Sequence, residues 1–272
     1  MIEVNDAIAR MRRDLTLGSV LKGLMLGAAM FCLLLDALAR PAGFSGSVAL
    51  AVIGGVWLML SYRSWRGSRI AAVSPSLIAS GNFEQAERHI DEALRAFSIF
   101  RTVKLRSLHH LAVLRHAQRR WVETVILCQA ILQQRLGALS GISRSTRLIL
   151  ADSLLNVGDL HHAHEALAGL YQQRLSLGEA LELTVVQTDY LSRVGAWEQM
   201  VQGISQKVQL AELLPTEASA RVQALLALAA KKVGKADLSG WLKKRSELLV
   251  DAEELVKMRP VLRELFAPRG AD

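Results

Sequence analysis

The chain has 272 residues, of which 51% are apolar and 5% aromatic, and so large an apolar share excludes a chain that is disordered throughout. Leu and Ala dominate and proline occurs only five times, which favours helices over strands. The formal net charge of +8 divides equally between residues 1–69 and residues 70–272, so half of the positive excess lies beside the apolar segments near the N-terminus.

A short basic segment over residues 1–16 comes first. On a helix, residues 5–15 place Ile8, Met11 and Leu15 on one stripe, and three arginines lie beside it. This pattern predicts an amphipathic helix at a membrane surface. The alternative is a frayed basic tail.

Residues 17–66 are predicted to form a transmembrane helical hairpin. Residues 44–62 are 19 residues without a formal charge, enough for a helix that crosses a hydrocarbon core. Residues 17–38 are also apolar but contain Lys22 and Asp36, which would have to reach the two headgroup layers. The alternative for this first span is a cleaved signal peptide, since a basic region and a short apolar segment precede an Ala-Leu-Ala sequence.

The lysines and arginines near these spans predict the orientation. Three precede the first span and Lys22 lies near its start, Arg40 alone lies between the spans, and three follow the second. By the positive-inside rule, both chain ends and the domain that follows lie in the cytoplasm. Gly23 and Gly27, and likewise Ala51 and Gly55, are small residues four positions apart, through which the two helices could pack closely.

Residues 67–250 repeat a short pattern. A turn residue recurs at intervals of 37 to 39 residues, followed in four of five copies by a large residue two positions later and in most copies by a small residue three positions beyond. In the later four copies a small residue also lies seven positions before the turn, where it lets the two helices of a pair approach each other. The pattern predicts five helical hairpins. Their turns are at Gly81, Arg119, Gly158, Gly195 and Gly234.

These hairpins resemble the tetratricopeptide repeat over residues 74–245. The motif GNFEQA at residues 81–86 carries the resemblance best. The period exceeds the family's usual length of about 34 residues. The closing proline is absent, and Thr124, Met200 and Ser239 stand where the family has alanine. The resemblance implies an all-helical solenoid with an inner groove that binds proteins.

Residues 251–272 are predicted to form a capping helix and a loose tail. Leu255, Met258, Leu262 and Phe266 recur at helical spacing, interrupted by one proline. Two membrane spans followed by helical repeats are similar to the layout of HemY-type bacterial inner-membrane proteins. This resemblance implies the same location but no particular pathway.

No motif for catalysis, phosphate binding or cofactor binding occurs, so the sequence predicts neither an enzyme nor a cofactor. His161 and His164 have a spacing used by zinc ligands, but no third ligand can be named, and solvated histidines at a helix start are the alternative. Cys32 and Cys128 lie in different apolar settings and indicate no disulfide or metal site.

Between Glu92 and Glu123 the sequence contains no acidic residue, while basic residues accumulate. This basic face is predicted to contact anionic lipid headgroups or an acidic partner, whereas nucleic acid is disfavoured because aromatic residues are nearly absent there. A solvated face without a partner is the alternative. The predicted basic face consists of Arg101, Lys104, Arg106, Arg115, Arg119 and Arg120.

If the hairpins stack as in the tetratricopeptide family, the first helix of each pair lines an inner groove. Counting back from the turns predicts a groove that is basic at both ends and acidic in the middle, which suits an extended peptide or a partner helix. The alternative is that some of these residues pair between adjacent helices. The predicted groove residues are Arg106, His109, His116, Asp152, Glu182, Asp189, Arg221 and Lys231.

Two functions follow as hypotheses. The first is a membrane-anchored scaffold that recruits a protein partner to the cytoplasmic face of the membrane, within a larger assembly. The second is a structural membrane component that oligomerises through the hairpin and the basic face and shapes the bilayer. A role as an enzyme subunit rests only on the HemY-like layout.

Overall fold

The structure, a computed structural model, describes residues 2–38, 46–134 and 139–266. Every regular element within these residues is a helix, so the predicted all-α class is confirmed for this part of the chain. The predicted turn at Arg40 and the predicted loose tail after residue 266 lie outside the described residues. The chain divides into two compact units, Met1–Ile149 and Leu150–Asp272.

Two long apolar helices open the first unit. Helix α1 spans Val4–Leu38 without a break, and α2 spans Gly46–Ala72. Both are long and apolar enough to cross a membrane, by length and composition alone. Side chains along their middle parts are exposed, with Leu24 at 66% and Leu58 at 70%, as expected of helices that meet lipid.

The predicted packing of these two helices through small residues is wrong for the described atoms. A Cβ placed on Gly23, Gly27 or Gly55 would have no described neighbour within 4 Å. No described atom of the partner helix therefore approaches these glycines closely, and the α1–α2 contact involves other residues.

The remaining helices are shorter than α1 and α2. The first unit continues with α3 (Ser74–Ala79), α4 (Phe83–Arg95), α5 (Arg101–Ala117), α6 (Trp121–Leu132) and the beginning of α7 (Ser140–Val157). The second unit contains the end of α7, then α8 (Leu160–Tyr171), α9 (Leu177–Arg193), α10 (Trp197–Val201), α11 (Ile204–Glu212), α12 (Thr216–Lys232), α13 (Ala236–Leu249), α14 (Ala252–Met258), a 3₁₀ turn (Pro260–Leu262) and α15 (Arg263–Phe266).

Each of the five predicted turns separates two helices. All five turn residues have positive φ, between 58° and 91°, which is the left-handed conformation that ends a helix and reverses the chain. Four of them are glycines, for which this conformation has no steric cost, and the fifth is Arg119. The five helix pairs therefore lie at the positions that the period predicts.

The C-terminal segment, defined as residues 252–266, packs on α12, the first helix of the fifth pair. Its leucines Leu255, Leu262 and Leu265 are buried in the core of the second unit. A proline at the start of the 3₁₀ turn interrupts the segment, so three short pieces replace the single predicted capping helix.

Candidate functional site

The first turns of α1 lie inside the first unit. Ala7 and Met11 are fully buried and Ile8 is nearly so, because this part of α1 packs against α4, α5 and α6. The prediction of a surface helix over residues 5–15 is therefore wrong, since the apolar stripe contacts protein. One unbroken helix connects this buried part to the exposed apolar part of α1.

Asp14 and Lys104 form a buried ion pair between α1 and α5. The Lys104 Nζ lies 2.7 Å from Asp14 Oδ2, and the two side chains are 0% and 4% exposed. The same ammonium donates to the carbonyl oxygens of Leu94 at 2.8 Å and Ala96 at 2.6 Å, at the end of α4. Burial lowers the pKa of Lys104, and the hydrogen bond to Asp14 offsets this in part. Lys104 thus joins three helices. Its predicted place on an exposed basic face is wrong, because the side chain is fully buried.

Arg115 is the centre of a second buried cluster. Its Nη2 donates to the carbonyl oxygen of Ile2 and to Glu87 Oε1, both at 2.9 Å, and its Nε lies 3.1 Å from Glu123 Oε2. Burial alone would raise the pKa of Glu87, but hydrogen bonds from Arg115 and from the Ile2 backbone N–H outweigh it, so the pKa is lowered. Arg115 is fully buried, which corrects its predicted place on the basic face.

The other members of the predicted basic face are nearer the surface. Arg106 and Arg119 are exposed, and Arg101 is half-buried. Arg120 is half-buried as well and pairs with Glu123. The basic face is therefore smaller than predicted, because α1 brings its own carboxylate and main chain to the two buried cations.

The groove residues of the first unit do not line an open channel together. Arg106 is exposed, whereas His109 is buried and its Nδ1 lies 3.0 Å from the Thr146 hydroxyl of α7. The His116 ring meets Trp121 edge-on at 5.2 Å between centroids. The predicted groove position of His109 is thus wrong, since it lies in a contact between neighbouring helices.

The burial of His109 predicts a pH-dependent stability. Burial, and then the charge of His110, lower the pKa of His109 to about 4, from an ordinary value of 6.5. As the pH falls from 6.5 to 4, the unfolded chain gains a proton that the folded chain does not, so stability decreases across this window and no further below it. We expect His109→Gln to flatten this decrease in thermal unfolding measured from pH 7 to pH 4. His161→Gln, at an exposed position, is the control, and equal slopes in both variants would contradict the expectation.

In the second unit, three predicted groove residues do meet. Asp189 is 1% exposed, and the Arg259 Nε and Nη2 of the C-terminal segment lie 2.6 and 2.7 Å from its two carboxylate oxygens. Arg193, one turn further along α9, lies 3.2 Å away. Burial and the charge of Arg259 lower the pKa of Arg221, while the nearby carboxylates of Asp189 and Asp152 oppose the shift. Asp152, Asp189 and Arg221 therefore share one charged cluster.

The C-terminal segment covers one end of this cluster. Arg259 of this segment binds Asp189, and the Glu264 carbonyl oxygen of the same segment accepts a hydrogen bond from the Lys231 Nζ at 2.6 Å. Asp189 and Lys231 are therefore bound by the chain's own segment and do not line an open groove as predicted. Glu182, two turns before Asp189 on the same stripe of α9, is exposed.

Sequence reasoning missed Asp14 and Arg259. A signal existed for Asp14, which follows Ala7 and Met11 on one helical stripe and so shares their buried side. No comparable signal identifies Arg259, because its partner Asp189 lies 70 residues away along the chain.

Two further features concern metal binding and the Cys128 thiol. Residues 2–38, 46–134 and 139–266 contain no group of three or more His, Cys, Asp or Glu side chains that could hold a metal ion. Burial raises the pKa of the Cys128 thiol to about 12, which disfavours the thiolate that a nucleophile requires. No protein-family model matches the sequence, and comparisons with curated proteins and with solved structures give no significant match.

Proposed function

We propose that the protein is a membrane-anchored scaffold that recruits a protein partner to the cytoplasmic face of a bacterial inner membrane. Helices α1 and α2 are the anchor, and the five helix pairs form a tetratricopeptide-like solenoid. The observation that carries the proposal is that α1 belongs to both parts. Its exposed apolar half is the first span, and its buried half is packed into the first unit. A flexible linker would allow the first unit to change its position and orientation relative to the bilayer, whereas a shared helix holds both constant.

Side chains at the end of the second span support the cytoplasmic orientation. Trp57 and Trp65 are exposed beside the apolar part of α2, as is typical of the interface between lipid and water. Arg63, Arg66 and Arg69 follow at the same end and are exposed, as the positive-inside rule requires of the cytoplasmic side.

The C-terminal segment indicates what kind of partner the second unit accepts. Asp189 binds a guanidinium through both carboxylate oxygens, and leucines of the same short segment are buried next to it. A partner with a short helix that carries one arginine and several leucines has the same chemistry. In the proposed complex such a helix contacts Glu182 and takes the place of Arg259 on Asp189.

Affinity capture from native membranes after crosslinking tests this proposal with the full-length protein. Glu182→Lys reverses the charge at the exposed end of the stripe, two turns before Asp189, and we expect it to remove the captured partner. Glu198→Lys, at an exposed position on α10, is the matched control and should retain it. Arg259→Gln should increase the amount captured, because it weakens the segment that competes for Asp189. Capture that is equal in all three variants would refute the groove.

A self-oligomerising structural membrane component is the second candidate function. It is favoured by the open faces at Gly23, Gly27 and Gly55, because small residues on lipid-facing helices let a second helix approach closely. In the same crosslinking experiment this function would give a ladder of the protein alone. Gly27→Leu should shorten that ladder and leave the capture of a different protein unchanged.

A further inference from the structure

A small cavity opens where α1 leaves the first unit and its apolar side chains become exposed. The loop of residues 96–100, between α4 and α5, lies against both long helices at this level. A Cβ on Gly18 of α1 would lie 3.5 Å from the Ile99 main chain, and the Ile99 N–H donates to the Ser64 hydroxyl of α2 at 3.2 Å. Phe100 meets Trp57 edge-on at 6.5 Å between ring centroids. The loop therefore marks the boundary between the folded unit and the candidate spans.

The cavity has a volume of about 200 Å³, and polar, charged and apolar side chains line it. Lys22 and Ser19 line it from α1, Arg101 from the first turn of α5, and Ser98 and Gln134 complete the polar part. This volume is sufficient for a phosphate group and part of what is attached to it. Hydroxyl, amide, ammonium and guanidinium groups are the side chains that bind phosphate oxygens.

The charges of the cavity favour an anion. Asp14 also lines it, but its carboxylate is 2.7 Å from the Lys104 ammonium and 3.6 Å from the Arg13 guanidinium, so its charge is compensated. The Arg101 guanidinium makes one hydrogen bond to a described side chain, from Nη2 to Gln134 Oε1, and at 3.4 Å that bond is long. The Lys22 ammonium lies over the Phe100 ring, 5.7 Å from its centroid, and the same side chain lines the cavity. Two cations thus retain donors for a ligand.

The position of the cavity identifies the source of the phosphate. Counted along α1 from Lys22, the residues four, eight and eleven positions later are Leu26, Met30 and Leu33, which lie on the same side of the helix. They are 66%, 61% and 55% exposed. A phosphate in the cavity would therefore stand at the head of an exposed apolar stripe along which an acyl chain can lie. A free phosphate makes no use of such a stripe.

We propose that this cavity binds the phosphate of an anionic phospholipid, with Lys22 and Arg101 as its cationic ligands and the Leu26 stripe as the path of an acyl chain. The proposal rests on the membrane anchoring proposed above. It assigns the lipid contact to one built site at the boundary, whereas the sequence predicts a broad basic face on α5 and the turn that follows it. Occupied, the site would fix how deeply α1 enters the bilayer.

The test uses full-length protein in a neutral detergent, with short-chain phosphatidylglycerol as the probe, followed by native mass spectrometry. We expect one retained lipid per chain, and an approximately fivefold weaker apparent affinity in Lys22→Gln and in Arg101→Gln, since one cation near a lipid surface contributes about that factor. Ser19→Asp places a negative charge at the exposed rim in place of one of the hydroxyl groups that line the cavity, and it should abolish retention. Arg106→Gln, an exposed arginine of the same α5 outside the cavity, is the matched control.

Retention that falls equally in Arg106→Gln would overturn the built site and favour a diffuse basic surface. Equal retention of phosphatidylcholine would overturn the preference for an anionic lipid. Displacement of the lipid by millimolar inorganic phosphate would overturn the lipid assignment and favour a free phosphate. Release of the protein from membranes by alkaline carbonate would instead refute the anchoring, so failure of the proposed function is distinguishable from failure of this site.

Discussion

Asp14→Asn should lower the free energy of unfolding of the first unit by about 3 to 5 kcal/mol, since removing one partner of a buried ion pair leaves the other charge without compensation. The Lys104 side chain is fully buried, and the carbonyl oxygens of Leu94 and Ala96 are its remaining partners. Those dipoles stabilise an ammonium less than a carboxylate does. Thermal unfolding of the detergent-solubilised full-length protein would measure the loss.

Asp6→Asn is the matched control, because Asp6 lies on the same helix and is exposed. A second measurement separates local detachment from general loss of stability. Trypsin should cleave after Arg12 and Arg13 faster in Asp14→Asn than in the control, because the first turns of α1 would leave the first unit. Unfolding and cleavage that match those of Asp6→Asn would show that the ion pair does not hold α1.

The local features of this fold were predictable from the sequence. Each turn is encoded within a few residues, by a glycine or by Arg119 at the position where φ is positive, and the nearly constant period made the set recognisable. The two apolar helices were equally evident, since length and the absence of charge suffice to recognise a candidate span. Each of these features depends on residues that are close together in the sequence, so it can be predicted without knowing the tertiary contacts.

The partners of the charged residues were not predictable in the same way. Lys104 and Arg115 occur in a stretch without acidic residues, and such a stretch by itself predicts an exposed basic face. The Lys104 partner is Asp14, 90 residues distant, and Arg115 pairs with Glu87, 28 residues distant, as well as with Glu123 at the end of the stretch. The apolar stripe at the start of α1 was ambiguous for a related reason. An amphipathic pattern indicates that one side of a helix is buried, but it does not indicate whether lipid or protein covers that side.

The predicted groove residues of the second unit show the same limit of local patterns. The family spacing placed Asp152, Asp189 and Arg221 on facing first helices, and in the second unit these three do share one charged cluster. It could not reveal that Arg259 of the C-terminal segment reaches Asp189, because that contact depends on where the chain goes after the fifth pair. A repeat pattern predicts where the helices lie and which side of each helix shares a groove. It does not predict which segment packs on that side, because such contacts are distant in sequence.

Arg115→Met should destabilise the first unit by about 3 kcal/mol at neutral pH, because it leaves the Glu87 and Glu123 carboxylates and the Ile2 carbonyl without their shared donor. The two carboxylates are 19% and 27% exposed, so water compensates part of the loss. Arg106→Met on the same helix is the control, since that arginine is exposed.

The deficit of Arg115→Met should also depend on pH. In the native protein the pKa of Glu87 is held below its ordinary value of 4.5, so its contribution is fully present above that pH and is lost as the pH falls through the lowered pKa. Without Arg115, burial raises the pKa of Glu87, and a protonated Glu87 needs no cation. The stability difference between Arg115→Met and the native protein should therefore be largest at pH 7 and should shrink below pH 4.5. A difference that is the same at pH 7 and pH 4 would mean that Arg115 acts through packing alone, and that the ionised cluster does not hold the start of α1 in the first unit.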